Sequence, residues 1–247
     1  MTEEERRRAI HSRLGRFRDG PGPRSPIPSG LGPLDAALGG GFPRGRIVEL
    51  FGPPASGKTT LALQAVAHMQ RGGLTAAWID ADCAFDSAYA AALGVALGRL
   101  PVARPDSAEE AMEIARQLAA SATVDFLVVD SAAALVPRLE LLSPIGESGP
   151  GLQARVLASG LRKLAAAADK AGATALFLNQ TRGRPEAGEE ETTAGGPALK
   201  LYAAVRVALI PELKPRVRFR ILKNRVAGAF GEGELKWSAH FGFAQCP

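Results

Sequence analysis

Nine residues, Gly52 to Thr60 (GPPASGKTT), constrain this chain more than any other stretch. They fit G-x-x-x-x-G-K-[ST], with the apolar run Ile47–Phe51 before them and the helix-forming run Leu61–Val66 after. Strand, glycine-framed loop and helix in that order make a phosphate-binding loop. The glycines let the backbone curl so that successive N–H groups face phosphate oxygens, and the helix adds its positive end. Gly52, Pro53, Pro54, Ala55, Ser56, Gly57, Lys58, Thr59 and Thr60 are therefore the candidate phosphate cradle. In such a loop Lys58 reaches the β- and γ-phosphates and the Thr59 hydroxyl takes a place on Mg²⁺. The implied ligand is a nucleoside triphosphate, with Mg²⁺ as the expected metal.

Length and composition set the frame around that loop. At 247 residues the chain suits one large domain with a full core. Its two cysteines, Cys83 and Cys246, suggest neither a disulfide framework nor a zinc site. No apolar run has the length of a bilayer span and Met-Thr-Glu-Glu-Glu is no signal peptide, so the expectation is a cytoplasmic protein without membrane contact. The net charge of +5 decides little, but its distribution is uneven. Lys200, Arg206, Lys214, Arg216, Arg218, Arg220, Lys223 and Arg225 follow within one segment, opposed there only by Glu212. Such a local excess is the footprint of a polyanion binder.

Taken in order, the chain opens with a short helix carrying Ile10, Leu14 and Phe17 at helical spacing. A Pro/Gly-rich linker follows from Arg18 to Gly32, so residues 1–32 are expected to stand apart from a core of residues 33–247. From Ile47 strands and helices alternate. Strands are expected over Thr75–Asp80, Val124–Asp130 and Ala173–Asn179. Helices are expected over Asp86–Leu93, Ser107–Ala120 (with Ala111, Ile114, Ala115 and Leu118 on one face) and Leu152–Ala171. Near-continuous apolar strands in β-α-β order predict an α/β fold with a mainly parallel sheet covered by helices on both faces. The last third predicts strands over Tyr202–Ile210, Arg216–Lys223 and Glu234–Ala239 and no helix, as antiparallel additions at one sheet edge.

Several acidic and polar residues end strands where ligands of open sheets gather. Asp130 closes FLVVD and is placed to hold Mg²⁺ through its waters. Asp80 and Asp82 end TAAWIDAD, where one carboxylate is expected to activate water and the other reading is a helix N-cap. Gln180 ends ALFLNQ, in position to sense a γ-phosphate. Two patternless loops, 143–151 and 181–195, are long enough to be functional or disordered. The first leads into a helix that carries Arg155 and Arg162 two turns apart, on one face.

These segments together resemble the bacterial RecA-family recombinases. The resemblance runs through SGLGPLDAALGGGFPRGRIVELFGPPASGKTT, WIDADCAFDSAYAAALGV, FLVVDSAAALVP, GLQARVLASGLRKL, LFLNQTR, TTAGGPALKLYAAVR and RILKNR. It implies a RecA-like P-loop NTPase core that hydrolyses ATP at subunit interfaces of a filament on single-stranded DNA. It implies that Asp86 and Tyr89 hold adenine, that Asp82 is the catalytic acid, and that Gln180 is the γ-phosphate sensor. Lys223 and Arg225 would reach the neighbouring subunit's ATP. Arg155, Arg162, Arg182, Arg184, Gly195 and Gly196 would contact the primary DNA strand, and Arg218 and Arg220 a secondary DNA site.

The chain also departs from the family pattern. It ends at Pro247, soon after the family's ATPase core, so a C-terminal duplex-gathering domain is not expected. Asp82 stands for a glutamate, Leu201 for an interface phenylalanine, and Pro150 and Pro185 for apolar base wedges. Glu186, Glu189, Glu190 and Glu191 load the second loop with negative charge. The expected function is a slow DNA-dependent ATPase of homologous recombination and repair, as a homo-oligomer or filament. The competing reading is an accessory module that uses ATP as a switch to bind other repair proteins in lesion bypass. The retained pair Lys223 and Arg225 favours the first.

Overall fold

The computed structural model describes residues 1–14, 22, 24–144, 147, 151–182, 192–212, 215–228, 230–238 and 242–245, without the side chains of Ile10, His11, Arg13, Leu14 and Gln245. Its first helix, α1 (Glu3–Leu14), follows its acidic first turn as expected, with the other side chains on the surface. The Ile10, Leu14 and Phe17 stripe lies outside the described residues. The segment read as linker is in its second half part of the fold. Ile27 pairs with Phe42 in an isolated bridge and Ile27, Ser29 and Leu31 are buried. Arg24 donates to the carbonyls of Asp169 and Lys170 at 2.6 and 3.2 Å.

The sheet forms around β1 (Ile47–Gly52). Its partners are β5 (Thr174–Arg182) on one side and β7 (Val205–Pro211) on the other, both parallel to it. Beyond β5 lie β4 (Phe126–Asp130), β2 (Ala76–Asp80) and the two-residue β3 (Val102–Ala103), again parallel. Beyond β7 come β8 (Arg216–Asn224), β9 (Glu232–Ser238) and β10 (Gly242–Gln245), each antiparallel to the one before. The short β6 (Thr192–Thr193) folds back on the end of β5. The expected antiparallel edge is therefore real, but its first strand is not part of it: β7 runs with β1. A helix, α8 (Ala198–Tyr202), also precedes β7 where none was expected. Two-residue β3 and the late β10 carry too little pattern to be read from sequence.

Helices cover both faces. On one lie α2 (Gly32–Leu38), α3 (Lys58–Arg71) and α4 (Ser87–Ala92), packed with Val48 and Leu50. On the other lie α5 (Ala108–Ala120), α7 (Leu152–Ala171) and α8, packed with Ile47. The short α6 (Arg138–Leu142) bears the exposed Leu139, Leu141 and Leu142. Alternate residues of β1 thus point to opposite cores, as the two-residue period of a strand requires. Ser107 caps α5 by accepting the Glu110 N–H, while the Glu110 carboxylate accepts the N–H of Asp106. The buried face of α5 is Ala108, Ala111, Met112, Ala115 and Ala119, one step round from the expected one, with Ile114 and Leu118 at its margin. In α7, Leu157, Leu161, Leu164 and Ala168 recur at helical spacing and fill the core.

One charge is buried in the middle of the sheet. Glu49 of β1 has no exposed surface, and Arg206 of β7 donates its Nε to Glu49 Oε2 at 2.5 Å. Asn179 Nδ2 donates to the other oxygen at 2.9 Å, and the Arg206 guanidinium lies 4.7 Å from the Phe51 ring centre. Three adjacent strands are joined through this one carboxylate. Arg206→Leu alone should cost about 3–5 kcal/mol in urea unfolding, because it leaves Glu49 charged and unpaired in the core. Arg206→Leu combined with Glu49→Met should cost less than the single change; equal or greater loss would show that the carboxylate is not held by the arginine.

Candidate nucleotide site and nucleic-acid interface

The loop Gly52–Gly57 leaves β1 and enters α3 through two left-handed residues, Ala55 (φ 58°) and Gly57 (φ 89°). Gly52 tolerates no side chain, since a Cβ there would meet the Leu209 carbonyl oxygen at 2.4 Å. Lys58 folds into the loop it serves: its Nζ donates to the carbonyls of Gly52 (3.1 Å) and Pro53 (2.8 Å) and to Ser56 Oγ (3.3 Å). Burial lowers the Lys58 pKa, against the opposing pull of Asp130. The cation is thus held where phosphate oxygens would replace the loop's own acceptors.

Asp130 ends β4 as expected, and Thr59 Oγ1 donates to its Oδ2 at 3.1 Å. Burial pushes the Asp130 carboxyl up to about 7, and the charge of Asp82 adds to the rise. Asp82 itself is exposed, with its pKa raised by partial burial and by Asp80. The structure therefore brings Asp82 and Asp130 into one field beside the loop. Asp80 has another task. It is buried, accepts the N–H groups of Ala84 and Phe85 at 2.9 and 3.3 Å, and pairs with Arg104 Nε at 3.0 Å.

The donor set suits Mg²⁺. Among the described residues no three acidic, histidine or cysteine side chains could hold a metal by themselves. Mg²⁺ in phosphate sites takes one or two protein ligands and completes its shell with phosphate and water. Thr59 and Asp130 are the side chains that would supply those two, and the buried Ser131 hydroxyl beside them has no partner among the described residues. A proton on Asp130 competes with the cation. Affinity for Mg²⁺-ATP should therefore fall below pH 7, by up to about tenfold per pH unit, and level off above pH 8. ATP's own titration is common to all variants, so the comparison is with Asp130→Asn by calorimetry. Equal slopes for both proteins would show that Asp130 does not face the metal.

The two residues expected at adenine sit at the rim. Asp86 caps α4 by accepting the Tyr89 N–H at 2.9 Å, and the Tyr89 hydroxyl lies 2.8 Å from Thr60 Oγ1. On the other side of the loop, a Cβ on Gly57 would meet the Phe243 ring at 2.4 Å. Gln64 of α3 fixes that strand by donating to the Phe243 carbonyl and accepting its N–H. Nothing in the sequence announces this contact. Glu49 and Arg206 were equally silent as site residues, although a glutamate inside IVELF is itself a signal of a buried partner.

Gln180 is exposed and directly opposite Gly52 in the β1–β5 register. Its backbone N–H donates to Asn179 Oδ1 at 2.9 Å, and its carbonyl accepts the Ala194 N–H at 3.1 Å. Thr181 and Arg182 then pair with Thr193 and Thr192. The loop expected to touch nucleic acid thus leaves and returns through a stem built on Gln180. Arg184 and the loop glutamates lie outside the described residues; Arg182 is exposed at the stem's end. Gly195 (φ 82°) and Gly196 (φ 73°) lie against α7, where added Cβ atoms would meet Leu157 at 2.4 Å and Ala154 at 2.9 Å. That contact sets the stem beside Arg155, and Arg155 and Arg162 are both exposed on α7.

The basic segment 200–225 does not form one patch. Arg216, Arg218 and Arg220 share a face of β8, but β9 brings acids opposite them, with Arg218 paired to Glu234 and Arg220 to Glu232 in register. Arg218 ion-pairs with Glu212 at 3.1 Å and Arg216 with Glu234 at 3.4 Å. Lys223 lies level with Arg206 and so with Glu49, roughly 10 Å along the strand from Gly52. Its Nζ donates to the carbonyls of Lys200 and Leu201 at 2.6 and 3.2 Å, and burial with nearby Arg225 and Arg206 lowers its pKa to about 8. Lys223 and the exposed Arg225 therefore stand away from their own phosphate loop.

Comparison with known proteins covers the same ground. The RecA N-terminal domain family model matches residues 24–242. The chain is 50% identical over 221 residues to the protein RecA of Picosynechococcus sp. (strain PCC 7002), covering 85% of this chain and 64% of that protein. It is 48% identical over 235 residues to the protein RecA of Amycolatopsis mediterranei, covering 90% and 67%. Against the protein RecA of Gloeobacter violaceus the figures are 47% over 220 residues, covering 85% and 60%. The chain thus spans about two thirds of the length of these relatives. Every strand from β1 to β9 lies within the matched residues, and the chain belongs to the RecA N-terminal domain family.

Proposed function

We propose that this chain is an ATP- and single-stranded-DNA-binding protein of homologous recombination and repair, and a slow DNA-dependent ATPase. The observation that carries the reading is the position of Gln180. It faces Gly52 across the β1–β5 pair and holds the stem of the 183–191 loop through its own carbonyl. A change at the phosphate end of that residue is transmitted to the stem through one backbone. The relatives that match this chain are named RecA, which supports the same reading.

Each residue has a task in it. The Gly52–Gly57 backbone and Lys58 bind the phosphates, and Thr59 and Asp130 hold Mg²⁺. Bound Mg²⁺ would neutralise charge on the β- and γ-phosphates. Asp82 orients the attacking water, Tyr89 and Asp86 contact the base, and Gln180 responds to the γ-phosphate. Lys223 and Arg225, directed away from their own loop, serve the nucleotide of a neighbouring copy in a homo-oligomer or filament. Arg155, Arg162, Arg182 and Arg184 with Gly195 and Gly196 take the primary DNA strand, and Arg218 and Arg220 a secondary one. The ATPase core takes in residues 24–32 as well as 33–247, in the cytoplasm. Among the described residues no helix is long and apolar enough to cross a membrane.

Two measurements test the reading. Lys58→Ala should abolish ATP binding while leaving thermal unfolding near that of the parent; undiminished binding would refute the phosphate loop. Neutralised phosphates contribute about −0.7 each to the log–log salt slope on single strands, so replacing Arg155 and Arg182 by Ala should flatten it by about 1.4. An unchanged slope would remove this face from DNA contact.

A further inference from the structure

We propose that Arg104 is a positioning residue for Asp82, acting through the buried carboxylate of Asp80. The inference rests on the ATPase reading only for its catalytic consequence; its structural half stands on the geometry alone.

β3 is two residues long, and its pairing with β2 (Trp78 with Val102, Ile79 with Ala103) delivers Arg104 to the end of the sheet beside Asp80. Asp80 is 1% exposed and both of its oxygens are engaged. Oδ1 accepts the Ala84 N–H at 2.9 Å. Oδ2 accepts the Phe85 N–H at 3.3 Å and Arg104 Nε at 3.0 Å. The carboxylate thus closes a turn that runs through Ala81, Asp82 and Cys83; the Ala81 N–H donates to the Asp130 carbonyl at 2.6 Å, and Cys83 is in the left-handed region at φ 56°. Phe85 anchors the far side by an edge contact with Trp78, at 5.6 Å between ring centres.

Asp82 has a short side chain, so its reach is decided by where this turn puts its backbone. The turn is held by hydrogen bonds to a buried carboxylate, with the Asp82 and Asp130 carboxyls nearby. Arg104 is the one cation that pairs directly with Asp80 among the described residues. Without it the buried charge is left unpaired next to two others, which is strongly unfavourable. The Asp80 carboxylate is then free to leave its place, and the Ala84 and Phe85 N–H bonds weaken. The Arg104 side chain is 59% exposed and Asp80 is its one partner among the described residues, so its contribution is this one contact.

The test compares Arg104→Gln and Arg104→Lys with the parent chain, by amide hydrogen exchange and by steady-state ATP turnover on single-stranded DNA. Arg104→Gln should speed exchange of the Ala84 and Phe85 amides by on the order of tenfold or more, with the β1 and β5 amides unaffected. It should lower kcat by about ten- to a hundredfold while KM for ATP stays within about twofold of the parent, because the phosphate loop is untouched. Arg104→Lys keeps the charge and should restore most of both. Parent-like exchange at Ala84 and Phe85 in Arg104→Gln would overturn the proposal, as would a lysine variant no better than the glutamine one. Faster exchange with unchanged kcat would overturn the positioning role. Should Arg104→Gln fail to fold, Arg104→Lys alone decides, and an undamaged lysine variant supports the charge clamp. If the parent shows no turnover, the ATPase reading fails, and amide exchange still decides whether Arg104 holds the turn.

Discussion

A single carboxylate, Glu49, ties together the three strands that carry the phosphate loop, Gln180 and the start of the antiparallel edge. It lies in β1 three residues before the phosphate loop and is bonded to Arg206 of β7 and Asn179 of β5. A buried ion is costly, and partners on both sides are what make it tolerable. Those partners fix the register of three strands. With Glu49 level with Arg206 and Phe177, Gly52 falls opposite Gln180 and Ala208 opposite Phe51. The phosphate loop, the Gln180 stem and the β7–β8 edge then take their positions without further adjustment.

Asn179 is where that constraint meets function. Its Nδ2 is shared between Glu49 and the Ala194 carbonyl, at 2.9 and 3.0 Å, and its Oδ1 receives the Gln180 N–H. One amide therefore touches the strand before the phosphate loop, the backbone of Gln180 and the returning end of the 183–191 loop. Buried polar networks of this kind have few alternative arrangements that satisfy every member. In the proposed function, a displacement of the Gln180 backbone would reach the stem through this amide.

The phosphate loop, Asp130 and the alternation of strands and helices were legible in the sequence because each follows from a local pattern: glycine spacing, an apolar run ending in an acid, a change of period. The position of Lys223 was not. Its eight-cation segment reads as one basic patch. The antiparallel turn from β7 to β8 instead sends Arg216 and Arg218 to the phosphate-loop end and Lys223 to the other, and β9 sets Glu232 and Glu234 against the arginines. The Arg18–Gly32 stretch looked like linker because proline and glycine dominate it, yet Ile27 and Leu31 are core residues. The roles of Asp80 and Asp82 separated only in three dimensions, where a distant cation, Arg104, claims the first. Pairings between residues far apart in the chain leave no periodic trace.

The central claim is that nucleotide and nucleic acid are coupled through Gln180. It is tested most directly by the affinity for single-stranded DNA with and without a non-hydrolysable ATP analogue, in the parent and in Gln180→Ala. The account predicts that the analogue tightens DNA binding by the parent and that Gln180→Ala loses this gain while still binding both ligands. An identical gain in the two proteins would contradict it.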